Sequence, residues 1–381
     1  MPGLGSFVRK RGQMVIDYNA RLNRLREVAG AKAIALVPGA TLFYFTGLEF
    51  HLSERPVIAL VTQDELAFII PQLEVSKLQQ RPDLDAQAFA WGDTEGYKGA
   101  FQEAVESLGL HGETLGVDGL TMRVTEWLTF QQLDSSIQVK AMEGEIVRIL
   151  ARKTADEVAA MRKAIAISEG ALEEVLAWVQ PGMTERQIAT RLTEAMNARG
   201  SQGIAFEPLI QTGPNSALPH GMLTDRALGA DEFLLIDFGG RYAGYPADIT
   251  RTYCLGTPSA EMQRMYDVVL QANQAATAAA GPGVTMGAVD KAARDVIEAA
   301  GYGEYFTHRT GHGLGLNGHE TIPQIASGVS DVLEPGMAFT IEPGIYIPGL
   351  GGVRIEDNVL VTETGLDVLT TFPRRLSRTQ N

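Results

Sequence analysis

Apolar positions recur along this chain with two different spacings. Between residues 18 and 29 the pattern YNARLNRLREVA places Leu22, Leu25 and Val28 on one helical stripe. Continuous apolar runs follow, AIALV at 33–37, VIALV at 57–61 and LAFII at 66–70, each bounded by turn residues. Their length and composition are those of buried strands, and segments of helical period near 72–80, 99–108 and 122–132 alternate with them. Residues 14–145 are therefore expected to form a small α/β domain. The Gly-rich, basic residues 1–13 are expected to be a flexible lead-in, with Met14 opening the folded part.

Near Lys140 the texture changes to long helical stretches, VRILARKTADEVAAMRKAIAISEGALEEVLAWV followed by TERQIATRLTEAMNARG. Thr154 and Thr184 are the expected N-caps, the latter in T-E-R-Q, which fits a capping box. A second domain over residues 146–381 follows from this change. From 203 to 370 glycine, proline and short β-type segments return, and the chemistry-bearing residues concentrate there.

Composition narrows the class of protein. A chain of 381 residues suits two domains, perhaps three. An apolar content of 45% with 20% charged residues is that of a soluble globular protein. The net charge of -14 argues against the phosphate backbone of nucleic acid as a partner, which would call for clustered Lys and Arg. With a single cysteine, Cys254, the chain can form no internal disulfide and no thiolate metal cluster, which suits a reducing cytoplasm. The N-terminal residues lack the apolar core of a signal peptide, and no run approaches the roughly 20 apolar residues of a membrane span.

Five acidic or imidazole side chains stand inside short glycine-rich signatures: Asp237, Asp248, His312, Glu342 and Glu356. Asp237 ends the apolar run FLLID, and Asp248 lies 11 residues later, a reach suited to two strands of one hairpin. Glu342, in GMAFTIEPGIY, and Glu356, in GVRIEDNVLV, sit in strand-like runs where an inward carboxylate needs a partner. Taken singly, each aspartate is more simply a turn residue and each histidine a surface or core residue. Taken together, four carboxylates and one imidazole nearly balance the charge of two dications, whereas without cations they would repel one another and take up protons.

The segments LPHG (218–221), DFGGRYAGYPADITRTY (237–253), HRTGHGLGLNGHE (308–320), GMAFTIEPGIY (336–346) and GVRIEDNVLV (352–361) resemble, in order, those of the pita-bread metallopeptidases. The chain is most similar to the Xaa-Pro peptidase branch, which holds prolidase and aminopeptidase P. LFYFTG and SERPVIALV resemble, more loosely, the creatinase-type N-terminal domain of that branch. The resemblance implies an α/β (α+β) fold, a creatinase-like N-terminal domain followed by a pita-bread catalytic domain. It also implies two divalent ions per subunit, Mn2+ being the expected metal and Co2+ or Zn2+ the alternatives. Asp248 and Glu356 would bridge the ions, Asp237 would complete one site, and His312 with Glu342 the other.

The same resemblance makes Glu342 a general acid/base as well as a ligand. His220 and His319 would contact substrate and stabilise the tetrahedral intermediate, and His308 would line the pocket. Arg354 would either hold the carboxylates or touch substrate. The implied activity is hydrolysis of the bond before proline in Xaa-Pro dipeptides; an aminopeptidase P acting on longer peptides and a non-catalytic binding module are the alternatives. A dipeptide carries a free carboxylate on its proline, so a cation there would select it. Arg55, in HLSERP, is the candidate, the simpler reading being a surface arginine paired with Glu54. Thr41 departs from the asparagine often found before the LTG-type motif, which leaves the family's usual loop geometry there open. A cytoplasmic homodimer acting on peptide, with neither nucleic acid nor membrane as partner, completes the expectation.

Overall fold

The computed structural model describes residues 16–28 and 30–377. The lead-in expected over residues 1–13, and Met14, lie outside the described residues. The chain forms two compact units that divide between Ile149 and Leu150.

The first unit is built on a mixed sheet of β1 (Ala33–Leu36), β2 (Ile58–Thr62), β3 (Leu66–Pro71), β4 (Ala86–Trp91), β5 (Thr114–Val117) and β6 (Gln138–Ala141), in the order β4-β3-β2-β1-β5-β6. Every residue of β1 and β3 is buried, as is the body of β2. Strands covered on both faces read as unbroken apolar runs, which is why these three were legible. By contrast, β6 at the sheet edge is QVKA with three exposed positions and carries no such run. The helices of this unit are α1 (Tyr18–Arg26), α2 (Ala40–Thr46), α3 (Val75–Gln79), α4 (Lys98–Ser107) and α5 (Val124–Leu133). The segment expected as one helix over 72–80 is a 3-10 turn at Gln72–Glu74 leading into the short α3. Ile58, Leu60, Ile69, Phe101 and Phe130 meet in the core with no exposed surface, each worth about 1.5–3 kcal/mol in burial. Thr41 is buried in α2, which ends at Gly47, whose left-handed φ of 66° lets its N–H reach the Phe43 carbonyl at 2.7 Å.

The helix α6 (Glu143–Ala151) spans the division, and the second unit continues with α7 (Ala155–Trp178) and α8 (Glu185–Ala198). Thr154 and Thr184 cap them in reciprocal boxes. The Thr154 N–H donates to Glu157 at 2.8 Å and the Thr184 N–H to Gln187 at 2.9 Å, while each hydroxyl accepts the backbone N–H three residues on. Then come β7 (Leu209–Thr212), β8 (Phe233–Phe238), the small β9 (Arg241–Tyr242) and β10 (Tyr245–Pro246), and β11 (Ile249–Cys254). Two helices follow, α9 (Ala260–Ala279) and α10 (Met286–Ala299), where the sequence had suggested only glycine, proline and short strands. Their signal is Ala-rich and lies in the caps Ser259 and Thr285 and in the buried stripe Met262, Met265, Val269, Ala272 and Ala276.

The rest is β12 (Gly311–Gly315), β13 (Gly318–Ile325), β14 (Ala338–Ile341), β15 (Gly344–Ile347), β16 (Gly351–Arg354), β17 (Asp357–Val361) and β18 (Leu366–Val368). Strands pair as β11-β8-β7, as β13-β12-β14-β17-β18 and as β15-β16. The apolar faces of α9 and α10 share one core with Phe339, Ile341, Ile355 and Val359, so the helices support the strands that carry the acidic residues. Among the described residues no helix is long and apolar enough to cross a membrane.

Candidate active site

Five separate segments of the second unit converge on one cleft. Asp237 is on β8, whose antiparallel partner β11 sets Thr250 opposite it; Asp248 stands immediately before β11. The expected hairpin relation holds, with β9 and β10 forming its tip. His312 is on β12, Glu342 directly follows β14, and Glu356 fills the step between β16 and β17. Glycines on either side of His312 make this approach feasible: a Cβ at Gly311 would strike the Thr340 carbonyl and one at Gly313 the Ile322 carbonyl.

Backbone contacts fix the carboxylates. The Glu356 N–H donates to the Thr250 carbonyl at 3.1 Å and the Glu342 N–H to the Thr310 carbonyl at 2.8 Å. Buried Arg251 donates to the Glu356 carbonyl at 2.6 Å and to Asp357 at 2.8 Å, tying the Glu356 step to β11. The Asp248 N–H donates to Asn358 Oδ1 at 3.1 Å. On the side chains, Thr250 donates to Glu356 Oε2 at 2.6 Å and Thr340 to Glu342 Oε1 at 3.2 Å, while Arg354 Nη2 meets Asp237 Oδ2 at 2.5 Å.

Donor atoms lie within 4.8 Å of one another in three groups: Asp237, Asp248 and Glu356; His312, Glu342 and Glu356; and Asp248, His312 and His319. The chemistry of this set fits hard divalent cations. The His312 Nδ1 stands 3.0 Å from the Gly313 carbonyl, so the proton sits on Nδ1 and the Nε2 lone pair faces Asp248 Oδ2 at 3.6 Å and Glu342 Oε1 at 3.4 Å. A lone pair facing two carboxyl oxygens is favourable with a cation among them, or with a proton on one of the carboxyls. Asp237 Oδ1 is buried and, among the described residues, has no hydrogen-bond partner.

The titration behaviour agrees. Burial pushes Glu342 up to about 7, against the nearby Arg354 guanidinium, with the Asp237 charge adding to the rise. Burial and neighbouring carboxylates likewise hold Asp248 and Glu356 well above their usual range. Burial, reinforced by His319, lowers His312 to about 3, leaving it neutral and able to ligate.

The other expected residues divide. His319 is on β13, its ring 3.7 Å from that of His312 and its Nε2 3.9 Å from Asp248, which brings it into reach of the donor cluster. His220 is exposed in the loop after β7 and lines the same cavity of about 620 Å3, as do His308 and Arg354. Arg354 also donates to the Tyr346 hydroxyl at 3.0 Å and to Thr250 Oγ1 at 3.1 Å. Arg55 belongs to the first unit, where its guanidinium is taken on one edge by both Asp93 oxygens at 2.9 Å and on another by Glu54 at 2.8 Å.

Residues 159–363 match metallopeptidase family M24, and residues 20–152 match the creatinase/prolidase N-terminal domain. The chain belongs to metallopeptidase family M24. An uncharacterized peptidase of Staphylococcus epidermidis is 34% identical over 361 residues, 93% of this chain and 98% of its own. Among solved structures, prolidase from Thermococcus sibiricus superposes with a TM-score of 0.90 at 32% identity, covering 95% of this chain and 99% of that one. X-Pro aminopeptidase from Thermotoga maritima gives 0.83 at 31% identity, with coverage of 94% and 99%. The expected fold is therefore borne out: a creatinase-type domain followed by the pita-bread domain of an M24 peptidase.

The cleft of this M24 peptidase also holds residues that had not been singled out. Tyr346 joins Arg354 to His308, whose Nε2 lies 2.8 Å from its hydroxyl. Phe206, Leu209 and Pro219 supply apolar lining, and Glu207 and Arg309 supply charge. Tyr346 and Arg309 lie within the motifs GMAFTIEPGIY and HRTGHG, so their place in the cleft was legible. Their hydrogen-bonding state was not.

Proposed function

We propose that this M24 peptidase is an Xaa-Pro dipeptidase working with two divalent ions, Mn2+ by expectation. The observation that carries this reading is the cluster of four carboxylates and one neutral imidazole at the floor of an open cleft. Asp237, Asp248, His312, Glu342 and Glu356 would hold the ions, with Asp248 and Glu356 shared between them. When bound, such ions supply a water of lowered pKa and polarise the scissile carbonyl.

The protein's own groups do the rest. Glu342, at the cluster and held by Thr340, would accept a proton from water and return it to the leaving nitrogen. His220 and His319 line the cavity as donors for the developing oxyanion, a contribution of typically 3 kcal/mol or so each. The chain Arg354 to Tyr346 to His308 has a fixed direction: His308 Nδ1 faces the Arg309 carbonyl at 2.7 Å and must donate, so its Nε2 accepts from Tyr346. His308 is therefore held neutral and oriented against the substrate space. A bond before proline has no N–H, so a site that grips the carbonyl and leaving nitrogen suits it better than one that pairs with an extended backbone. The cytoplasmic homodimer remains part of this reading.

The likeness to an X-Pro aminopeptidase supports a second reading, release of the first residue from longer Xaa-Pro peptides. Assays of Ala-Pro, Ala-Pro-Ala and Met-Ala-Ser with Mn2+, with Asp248→Ala as control, separate the readings. Metal-dependent cleavage of Ala-Pro above Ala-Pro-Ala is expected. Preference for Ala-Pro-Ala would favour the aminopeptidase, preference for Met-Ala-Ser would place the enzyme outside the proline branch, and no cleavage would favour a binding module.

A further inference from the structure

We propose that Arg309 reads the free carboxylate of the dipeptide substrate and so sets the length of peptide this cleft accepts. The proposal rests on the dipeptidase reading. Standard bond lengths place the carboxylate carbon of an Xaa-Pro dipeptide three bonds from the scissile carbonyl carbon, about 3 Å away. The cation that recognises it must therefore belong to the cavity that holds the carboxylate cluster.

Among the described residues two arginines, Arg309 and Arg354, line that cavity. Arg354 is already spent: it is 3% exposed and its guanidinium is divided among Asp237, Tyr346 and Thr250. Arg309 is half-buried, and among the described residues its guanidinium makes no ion pair and no hydrogen bond. Its backbone, in contrast, is clamped on both sides from α10. Arg294 donates to the Phe306 carbonyl at 3.2 Å and to the His308 carbonyl at 3.0 Å, and is itself forked onto buried Asp290. The Thr310 N–H donates to the same Asp290 at 3.1 Å and lies 2.9 Å from the Ile325 carbonyl.

The chain thus fixes where the Arg309 stem starts and leaves its fork uncommitted in the cleft. An arginine that served only to hold the fold would have its donors satisfied by protein. A planar fork with free donors matches a carboxylate on two bonds. The uncharged amide that a tripeptide presents at the same place offers far less. Arg55, the cation expected from sequence, already has Asp93 and Glu54.

Arg309 could instead serve only to offset the negative cluster, and the test must tell these roles apart. Arg309→Met and Arg309→Lys would be assayed on Ala-Pro, Ala-Pro-NH2 and Ala-Pro-Ala, with bound Mn2+ measured after dialysis and Arg55→Ala run alongside. The expected result for Arg309→Met is a loss of roughly 10- to 100-fold in kcat/KM on Ala-Pro, mostly in KM, and a much smaller loss on the other two substrates. Lys should restore part of it, bound Mn2+ should match wild type, and Arg55→Ala should show no selective loss. Equal losses on Ala-Pro and Ala-Pro-NH2, loss of Mn2+, or a selective loss in Arg55→Ala instead would overturn the assignment. A wild type that cleaves Ala-Pro-Ala but not Ala-Pro would sink the dipeptidase reading and this proposal together. A wild type that cleaves Ala-Pro, with no selective loss in Arg309→Met or Arg309→Lys, sinks the proposal alone.

Discussion

Tyr346 is the residue on which the polar side of the cleft turns. It is 4% exposed, accepts from Arg354 and donates to His308, and burial pushes its hydroxyl up to about 12, so it stays protonated as the donor His308 requires. Burial, then the Arg354 charge, lowers His308 to about 4, so the ring is neutral across the working range. Tyr346→Phe removes one hydroxyl from buried Arg354 and half-buried His308, and an orphaned buried polar group costs about 1–3 kcal/mol. The variant should melt several degrees lower, and the His308 Nε2, followed by NMR, should lose the signature of an accepted hydrogen bond while the Arg309 carbonyl keeps the proton on Nδ1. An unchanged melting temperature would mean that water replaces the hydroxyl.

Among the elements, β12 bears the tightest constraint. His312 reaches the cluster only because Gly311 and Gly313 let the strand pass against the carbonyls of Thr340 and Ile322. Neither neighbour is a flexible side chain, so Gly313→Ala should push β12 from β13, lower Mn2+ content well below wild type and cut kcat by about 100-fold or more. Metal content equal to wild type would show that β13 yields instead. This strand also marks how far the sequence could be read. Glycines bracketing a lone histidine, and apolar runs ending in a carboxylate, announced the donor cluster directly. The doubly covered strands β1 to β3 were equally plain. The edge strand β6 was not, because its side chains meet water. Helices α9 and α10 escaped because they bury alanine and methionine among polar residues rather than a run of large aliphatics. Arg309 was visible within HRTGHG, but its meaning depends on having no partner, and partners are a property of the fold.

For the molecule as a whole, the cluster couples metal, protons and stability. Without cations, Asp248, Glu342 and Glu356 all bind protons more tightly in the folded chain than in the unfolded one. Their stabilising contribution is then present below the ordinary carboxylate range near 4 and is lost as pH rises, for Glu342 through about 7. Cations bind the ionised carboxylates, so binding below neutrality must release those protons, whereas His312, already neutral at any pH above about 3, releases none. The stabilisation by metal should therefore grow with pH across 5 to 8, in the direction set by the carboxylates alone. Melting temperatures with saturating Mn2+ and with a chelator, compared at pH 5, 6, 7 and 8, measure it: the gap should widen at each step. Calorimetric titration in buffers of different ionisation enthalpy should show proton release on Mn2+ binding at pH 6 and less at pH 8. A gap independent of pH would mean that the carboxylates are already ionised in the metal-free protein, and that the cluster is better hydrated and more acidic than its burial implies. Asp248→Asn should flatten the dependence without abolishing it, because Glu342 and Glu356 continue to titrate.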